Sequence, residues 1–216
     1  MAFLANAGMT TLLLLLAMTI FVIPLVAAPF GDGGRALIEL FFVMVLLSGA
    51  WVIADHRKIA TALAALGVLA LGIAWLPLPW LGAMRPLVHQ AATLLAVVLL
   101  AAMVCIRVFS AGSITTQRVM GAVALYLLLG VAWGNAYEII AQLDAGAFSH
   151  PVTSGGVERW FYFSFVTLTT VGYGDITPLS RSARVLAMGE AMVGQLYPAI
   201  VLARLVTLQA TPKSQE

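Results

Sequence analysis

The seven residues Thr169-Thr170-Val171-Gly172-Tyr173-Gly174-Asp175 limit the folds open to this chain more than any other feature. Ahead of them, Trp160 to Leu168 reads as a short apolar and aromatic helix. Behind them, after Ile176-Thr177-Pro178, a long apolar run goes from Ser182 to about Gln209. The chain as a whole is 62% hydrophobic and 9% charged, whereas a soluble domain carries about a quarter charged residues. An integral membrane protein is therefore predicted. Non-helical backbone at bilayer depth is tolerated only where it lines a water-filled path or is buried in protein. A short helix, an extended stretch and a long helix thus predict a re-entrant element, which dips into the membrane and returns.

The residue types say what such an element can do. Glycine reaches left-handed backbone angles without steric cost. Gly172 and Gly174 alternate with Val171 and Tyr173, so alternating handedness can turn successive carbonyls to one side. Thr170 adds a hydroxyl to that ladder of oxygens, while Val171 and Tyr173 point away into packing. A bare cation in hydrocarbon costs tens of kcal/mol, and an oxygen-only ladder suits hard cations. One loop surrounds nothing, so several copies around an axis are required.

The stretch resembles the selectivity filter of potassium channels, for which the Thr-Val-Gly-Tyr-Gly loop is the type example. The resemblance covers about Arg118 to Gln209 and is strongest from Tyr162 to Pro178. It implies four copies around one axis. K+ would bind at the carbonyls of Thr170, Val171, Gly172 and Tyr173 and at the Thr170 hydroxyl, with Gly174 and Asp175 shaping the outer mouth. It also implies filter support from Tyr162, Phe163, Val166 and Thr169. Many family members carry Trp at the first two of these, so a softer or differently bonded cuff is expected. Some bacterial members carry a glutamate, bonded to the filter aspartate, where this chain has Val166, and valine cannot make that bond. The helix ending near Leu168 is expected to aim its partly negative C-terminus at the cavity below the filter.

Six apolar runs are long enough to span a bilayer, which takes about 20 residues. They cover Ala7–Ala28, about Ala36–Ala54, Ile59–Leu76, about Leu87–Phe109, Val119–Leu143 and Ser182–Gln209. Val26-Ala27-Ala28 looks like a cleavage site, but no Lys or Arg precedes the first run, so a retained span is expected rather than a signal peptide. The predicted architecture is an all-α integral membrane protein with six transmembrane helices per subunit, plus a re-entrant pore helix and filter loop, assembling as a tetramer. Residues 1–112 form a four-helix membrane domain. Residues 113–216 form the pore domain, with outer helix 119–143, pore helix 157–168, filter 169–175 and inner helix 182–209.

Six crossings leave both termini on the side opposite the filter. By the resemblance that side is the cytoplasm, in a plasma or bacterial inner membrane. Arg57, Lys58 and Arg107 then lie inside and Arg35 and Arg85 outside, which agrees with the positive-inside rule. Voltage-gated relatives carry an arginine at every third position of the fourth span. Here that span has Arg85 before it, Arg107 near its end and His89 between, so no conventional voltage sensor is expected. Phe161 to Asp175 looks closer to two-pore-domain and simple bacterial channels. Nor is a fused cytoplasmic ligand-binding domain expected, since one needs about 100 residues.

Gate and modulatory candidates come next. Gly189 and Gly194 lie in the last span, and Gly194 matches the family's hinge position. Pro198, one turn on, removes a backbone hydrogen bond and can kink the helix. Close packing by small residues is the other reading. Glu138 and Glu190 lie within spans, where a carboxylate at mid-bilayer costs about 3 kcal/mol. They either act in permeation or proton-dependent gating, or pair with Arg159, Arg184 or backbone donors. His150, between the fifth span and the pore helix, could sense outside pH.

No basic stripe points to nucleic acid. His89, His150 and Cys105 show no ligand spacing, and no Ser-His-Asp pattern appears, so neither an enzyme nor a cofactor is expected. The expected partners are K+, membrane lipid and further copies of the chain. The leading expectation is a potassium-selective channel. A weakly selective cation channel and a non-conducting scaffold or lipid-binding protein are the alternatives, and the intact glycines argue against the last.

Overall fold

A computed structural model describes residues 2–27, 30, 32–52, 57–76, 78–110, 115–149 and 158–210. His150 lies outside them, as does the rest of the segment up to residue 157. The described residues are helical apart from short connections, one isolated bridge and the loop after Leu168. The helices are α1 (Ala2–Ala17), α2 (Ile23–Ala27), α3 (Asp32–Val52), α4 (Arg57–Trp75), α5 (Arg85–Phe109), α6 (Thr116–Leu143), α7 (Glu158–Leu168) and α8 (Arg181–Ala210).

Four segments among the described residues are long and apolar enough to cross a membrane, at 8–26, 79–109, 116–143 and 181–204. Two apolar helices, Ala36–Val52 and Ala60–Trp75, are shorter. α6 begins three residues before the apolar run Val119–Leu143 and α8 one residue before the run that starts at Ser182.

The first crossing is not uniform. Between α1 and α2 the residues Met18–Val22 widen into a π-helical turn, in which the Ile23 N–H donates to the Met18 carbonyl. Pro24 accounts for it, since its ring clashes with the carbonyl four residues back and it has no N–H to give.

The core forms where α5 and α6 pack side by side, with α1, α3 and α4 outside them. Ala96, Val97, Leu100 and Val104 of α5 meet Ala124, Leu125 and Leu128 of α6, all buried. Two arginines end helices rather than line a path. Arg85 donates to the carbonyls of Ile73 and Ala74 at the end of α4, at 2.7 and 2.5 Å, and Arg107 donates to the Val52 carbonyl at the end of α3. Cations suit these positions because terminal carbonyls are unpaired and carry the negative end of the helix dipole.

α7 lies against α6 through a small-residue seam. A Cβ at Gly130 would come within 2.5 Å of the Phe165 ring, and one at Gly134 within 2.4 Å of the Phe161 ring. Both pairs are spaced four apart, so two rings of α7 fill two notches of α6. Behind this seam Tyr137, Phe148, Trp160 and Phe163 make a buried aromatic cluster, with centroid separations of 4.6 to 5.8 Å.

Candidate functional site

α7 ends at Leu168 because the chain turns left-handed. Thr170, Gly172 and Gly174 have φ of 59°, 57° and 81°. The alternation expected of the two glycines therefore begins two residues earlier, at a threonine. A β-branched residue at positive φ is uncommon and stores about 1–3 kcal/mol of strain, as residues at functional sites often do. The end of α7 holds the turn in place. The Thr170 N–H donates to the Thr167 carbonyl at 2.9 Å, and the N–H groups of Val171 and Gly172 both donate to the Val166 carbonyl, at 2.9 and 3.2 Å. Val166 thus supports the loop through its backbone. Thr169 anchors the turn twice, its N–H and its hydroxyl both donating to the Phe165 carbonyl, at 3.0 and 2.6 Å.

The far end of the loop is tied down separately. The Tyr162 hydroxyl donates to the Asp175 carboxylate. The contact that Val166 cannot offer is thus supplied from four residues earlier on the same helix. Phe163, by contrast, faces the buried cluster behind α7. Beyond Asp175, the chain pairs with the segment after α6. Phe148 and Pro178 form an antiparallel bridge, the Ser149 N–H donates to the Thr177 carbonyl at 2.9 Å, and the Leu179 N–H donates to the Ala147 carbonyl at 2.7 Å.

The near end of the loop meets α6 and α8. The Leu168 carbonyl accepts from the Tyr126 hydroxyl at 3.3 Å, and the Gly194 backbone sits directly against it. Gln195 Nε2 lies 3.4 Å from Thr170 Oγ1. Pro198 lies inside α8, which continues as helix to Ala210. A proline cannot donate to the carbonyl four residues earlier, and that carbonyl belongs to Gly194. Gly189 faces open space within the chain.

Glu190 is fully buried. Its partners are hydroxyls, Tyr137 on α6 and Ser164 on α7, both at 2.5 Å. The arginines named from the sequence lie elsewhere: Arg184 donates to the Pro178 carbonyl at 3.2 Å, and Arg159 stacks over Trp160 at 4.7 Å. Glu138 lies 3.5 Å from Gln142 Nε2 on the same helix. Sequence reading singled out Glu190 but missed Tyr137 and Ser164. The available signal was their type, a hydroxyl in each of the two apolar helices flanking a buried acid.

From Thr170 to Asp175 every residue is exposed, including Val171 and Tyr173 at 53% and 72%. On α8 the apolar residues Val185, Met188, Met192, Leu196 and Ile200 are all more than half exposed. Their three- and four-residue spacing places them along one helix face.

A family model described as ion channel matches residues 93–209, just over half of the chain. Among relatives, LctB of Bacillus caldotenax is 32% identical over 87 residues, 38% of this chain and 64% of that protein. Two-pore potassium channel 1 of Arabidopsis thaliana is 36% identical over 88 residues, 41% of this chain and 22% of that protein. Two pore potassium channel c of Oryza sativa subsp. japonica is 34% identical over 82 residues, 38% of this chain and 17% of that protein. The chain thus spans less than two thirds of the length of each. No solved structure matches it.

Proposed function

The chain belongs to the ion channel family, and on that premise we propose that four copies form a potassium-selective pore in the cell membrane. Membership makes it a channel rather than an enzyme. The observation that carries the selectivity reading is the left-handed alternation at Thr170, Gly172 and Gly174. That alternation suits a stack of oxygens from Thr170, Val171, Gly172 and Tyr173, which replaces the water shell of K+. The names of the two plant relatives point the same way.

Assembly is the second part of the proposal. One loop encloses no path, and Val171, Tyr173 and the α8 stripe are apolar and uncovered within one chain. Four copies around an axis would cover much of that surface and bring four loops together. In this arrangement α6 and α8 are the outer and inner helices of a pore domain spanning residues 113–216. Residues 1–112 supply four further crossings, which gives six spans per subunit with both termini in the cytoplasm. Asp175, held by Tyr162, shapes the outer mouth. Gly194 and Pro198 mark where α8 would bend, with Gly189 one turn and a half before. K+ is the only ion that the site needs, and lipid surrounds the remaining helices.

Gating by a conventional voltage sensor is not proposed. Arg85 and Arg107 are committed to helix-terminal carbonyls, and a sensor needs charges that move through the field.

The deciding experiment is the reversal potential of purified protein in a planar bilayer, with K+ on one side and Na+ on the other. A value at the K+ equilibrium potential is expected. A value near zero with robust current would replace this reading with a weakly selective cation channel.

A further inference from the structure

The contacts around Glu190 demand more protons than an ionised side chain allows. Oε2 lies 2.5 Å from the Tyr137 hydroxyl oxygen and Oε1 lies 2.5 Å from Ser164 Oγ. Ser164 Oγ is in turn 2.7 Å from the Gly130 carbonyl oxygen. Each hydroxyl has one proton to donate, and a carbonyl only accepts. Tyr137 donates to Oε2. Ser164 then has a single proton for two acceptors if Glu190 is ionised, and one of its two contacts sets lone pair against lone pair. With a proton on Oε1, every contact is made: Glu190 donates to Ser164, Ser164 donates to Gly130, and Tyr137 donates to Glu190.

The surroundings favour the same state. Glu190 is 0% exposed, and burying a carboxylate without a cation costs several kcal/mol. The titratable groups that face it are the phenols of Tyr137 and Tyr126 on α6, α7 contributes the Ser164 hydroxyl, and among the described residues no ion pair to Glu190 is present.

We propose that Glu190 is held as a neutral carboxylic acid, and that its proton latches α8 to the back of α7 through Ser164. Ser164 lies one turn before Leu168, where the filter loop begins. Losing the proton as pH rises leaves an ionised group against the chain of oxygens, so that α7 loses its tie to α8 and conduction falls on the alkaline side. Glu190 is a positioning residue in this scheme, touching no ion. The latch's effect on conduction rests on the reading of Thr169–Asp175 as the filter, whereas the proton itself does not.

Two measurements on the full-length protein in lipid test this. Infrared spectroscopy at neutral pH is expected to give a protonated-carboxyl C=O band that Glu190→Gln removes and Tyr137→Phe shifts, because Tyr137 donates to that carbonyl. No band, or a band unmoved by both variants, overturns the proton assignment. Tyr137→Phe keeps the test open if Glu190→Gln fails to fold. K+ flux from liposomes is then followed against pH. Wild-type flux is expected to fall about fivefold on the alkaline side, the weight of one hydrogen bond. Glu190→Gln, whose amide donates to Ser164 and accepts from Tyr137, should keep neutral-pH flux and lose the fall. A variant that retains the wild-type pH profile overturns the latch. A band without K+ flux at any pH would uphold the proton and overturn the reading of the chain as a K+-conducting pore instead.

Discussion

Gly194 and Leu168 meet backbone to backbone: a Cβ on Gly194 would lie 1.9 Å from the Leu168 carbonyl oxygen and 2.8 Å from its carbon. No rotamer change relieves that contact, because the obstacle is main chain. α8 therefore touches α7 at its last residue, and a shift in α8 reaches the start of the loop Thr169–Asp175 without an intermediary. The hinge and packing readings of Gly194 become compatible here. The missing side chain permits the close approach, and Pro198 leaves the Gly194 carbonyl without its helical donor.

Gly194→Ala should therefore cost stability. Overpacking a close contact costs about 1–3 kcal/mol, occasionally more, and thermal unfolding of the purified protein in detergent measures it. Gly189→Ala is the control, because a Cβ there meets nothing within 4 Å of its own chain. Equal losses from the two variants would remove the special role of the Leu168 contact. If Gly194→Ala still conducts, its open probability should change while its K+ preference does not.

Tyr162→Phe should weaken the filter's outer mouth by removing the donor to Asp175. Shorter conducting bursts and a relaxed preference for K+ over Na+ are expected in single-channel records. Tyr162→Trp keeps an N–H donor on an aromatic ring and should fall between the two. Wild-type behaviour in Tyr162→Phe would mean that Asp175 is held by other groups.

Gly172→Asp places a side chain and a charge where φ is 57°. A left-handed L-residue costs roughly 1–2 kcal/mol, too little by itself to unfold the proposed tetramer. Selective K+ flux should disappear while the oligomer, followed by size-exclusion chromatography, remains. Preserved K+ selectivity in that variant would refute the filter assignment.

The pattern of what was legible follows from distance along the chain. The loop from Thr169 to Asp175 could be read because its chemistry is local: two glycines two residues apart dictate which backbone angles are open. The helices α6, α7 and α8 could be read from long, mostly apolar runs. Thr170 at positive φ could not, because nothing in a threonine asks for it; the carbonyls of Val166 and Thr167 impose it. Glu190 stood out as a carboxylate in an apolar span, but its partners are 26 and 53 residues away. Only packing brings Tyr137, Ser164 and Glu190 together, so arginines were the partners that charge alone suggested. The same applies to the partner of Tyr162, since its hydroxyl meets Asp175 only across the turn of the loop.

Conductance should rise only weakly with depolarisation. A charge crossing the full field is worth about 2.3 kcal/mol per 100 mV, and Arg85 and Arg107 are tied to carbonyls of neighbouring helices. A steep conductance–voltage curve in a bilayer would require one of these arginines to leave its helix end, and would overturn the assignment of both as caps.

The seam between α6 and α7 offers a test of how the pore helix is set. A Cβ at Gly134 would lie 2.4 Å from Phe161 Cδ1 and 3.3 Å from its Cα, so the ring has to swing away and part of the backbone has to follow. Gly134→Ala should destabilise the protein by about 1–3 kcal/mol. Phe161→Leu alone removes part of a ring from its notch and should cost a similar amount or less. Together they should cost less than their sum, because the smaller side chain accepts the added methyl; contacting residues show coupling of about 0.5–3 kcal/mol. Chemical denaturation of the three variants in one detergent closes the cycle. Strict additivity would mean that Gly134 and Phe161 do not set each other's position, and that α7 is oriented instead by the aromatic cluster behind it.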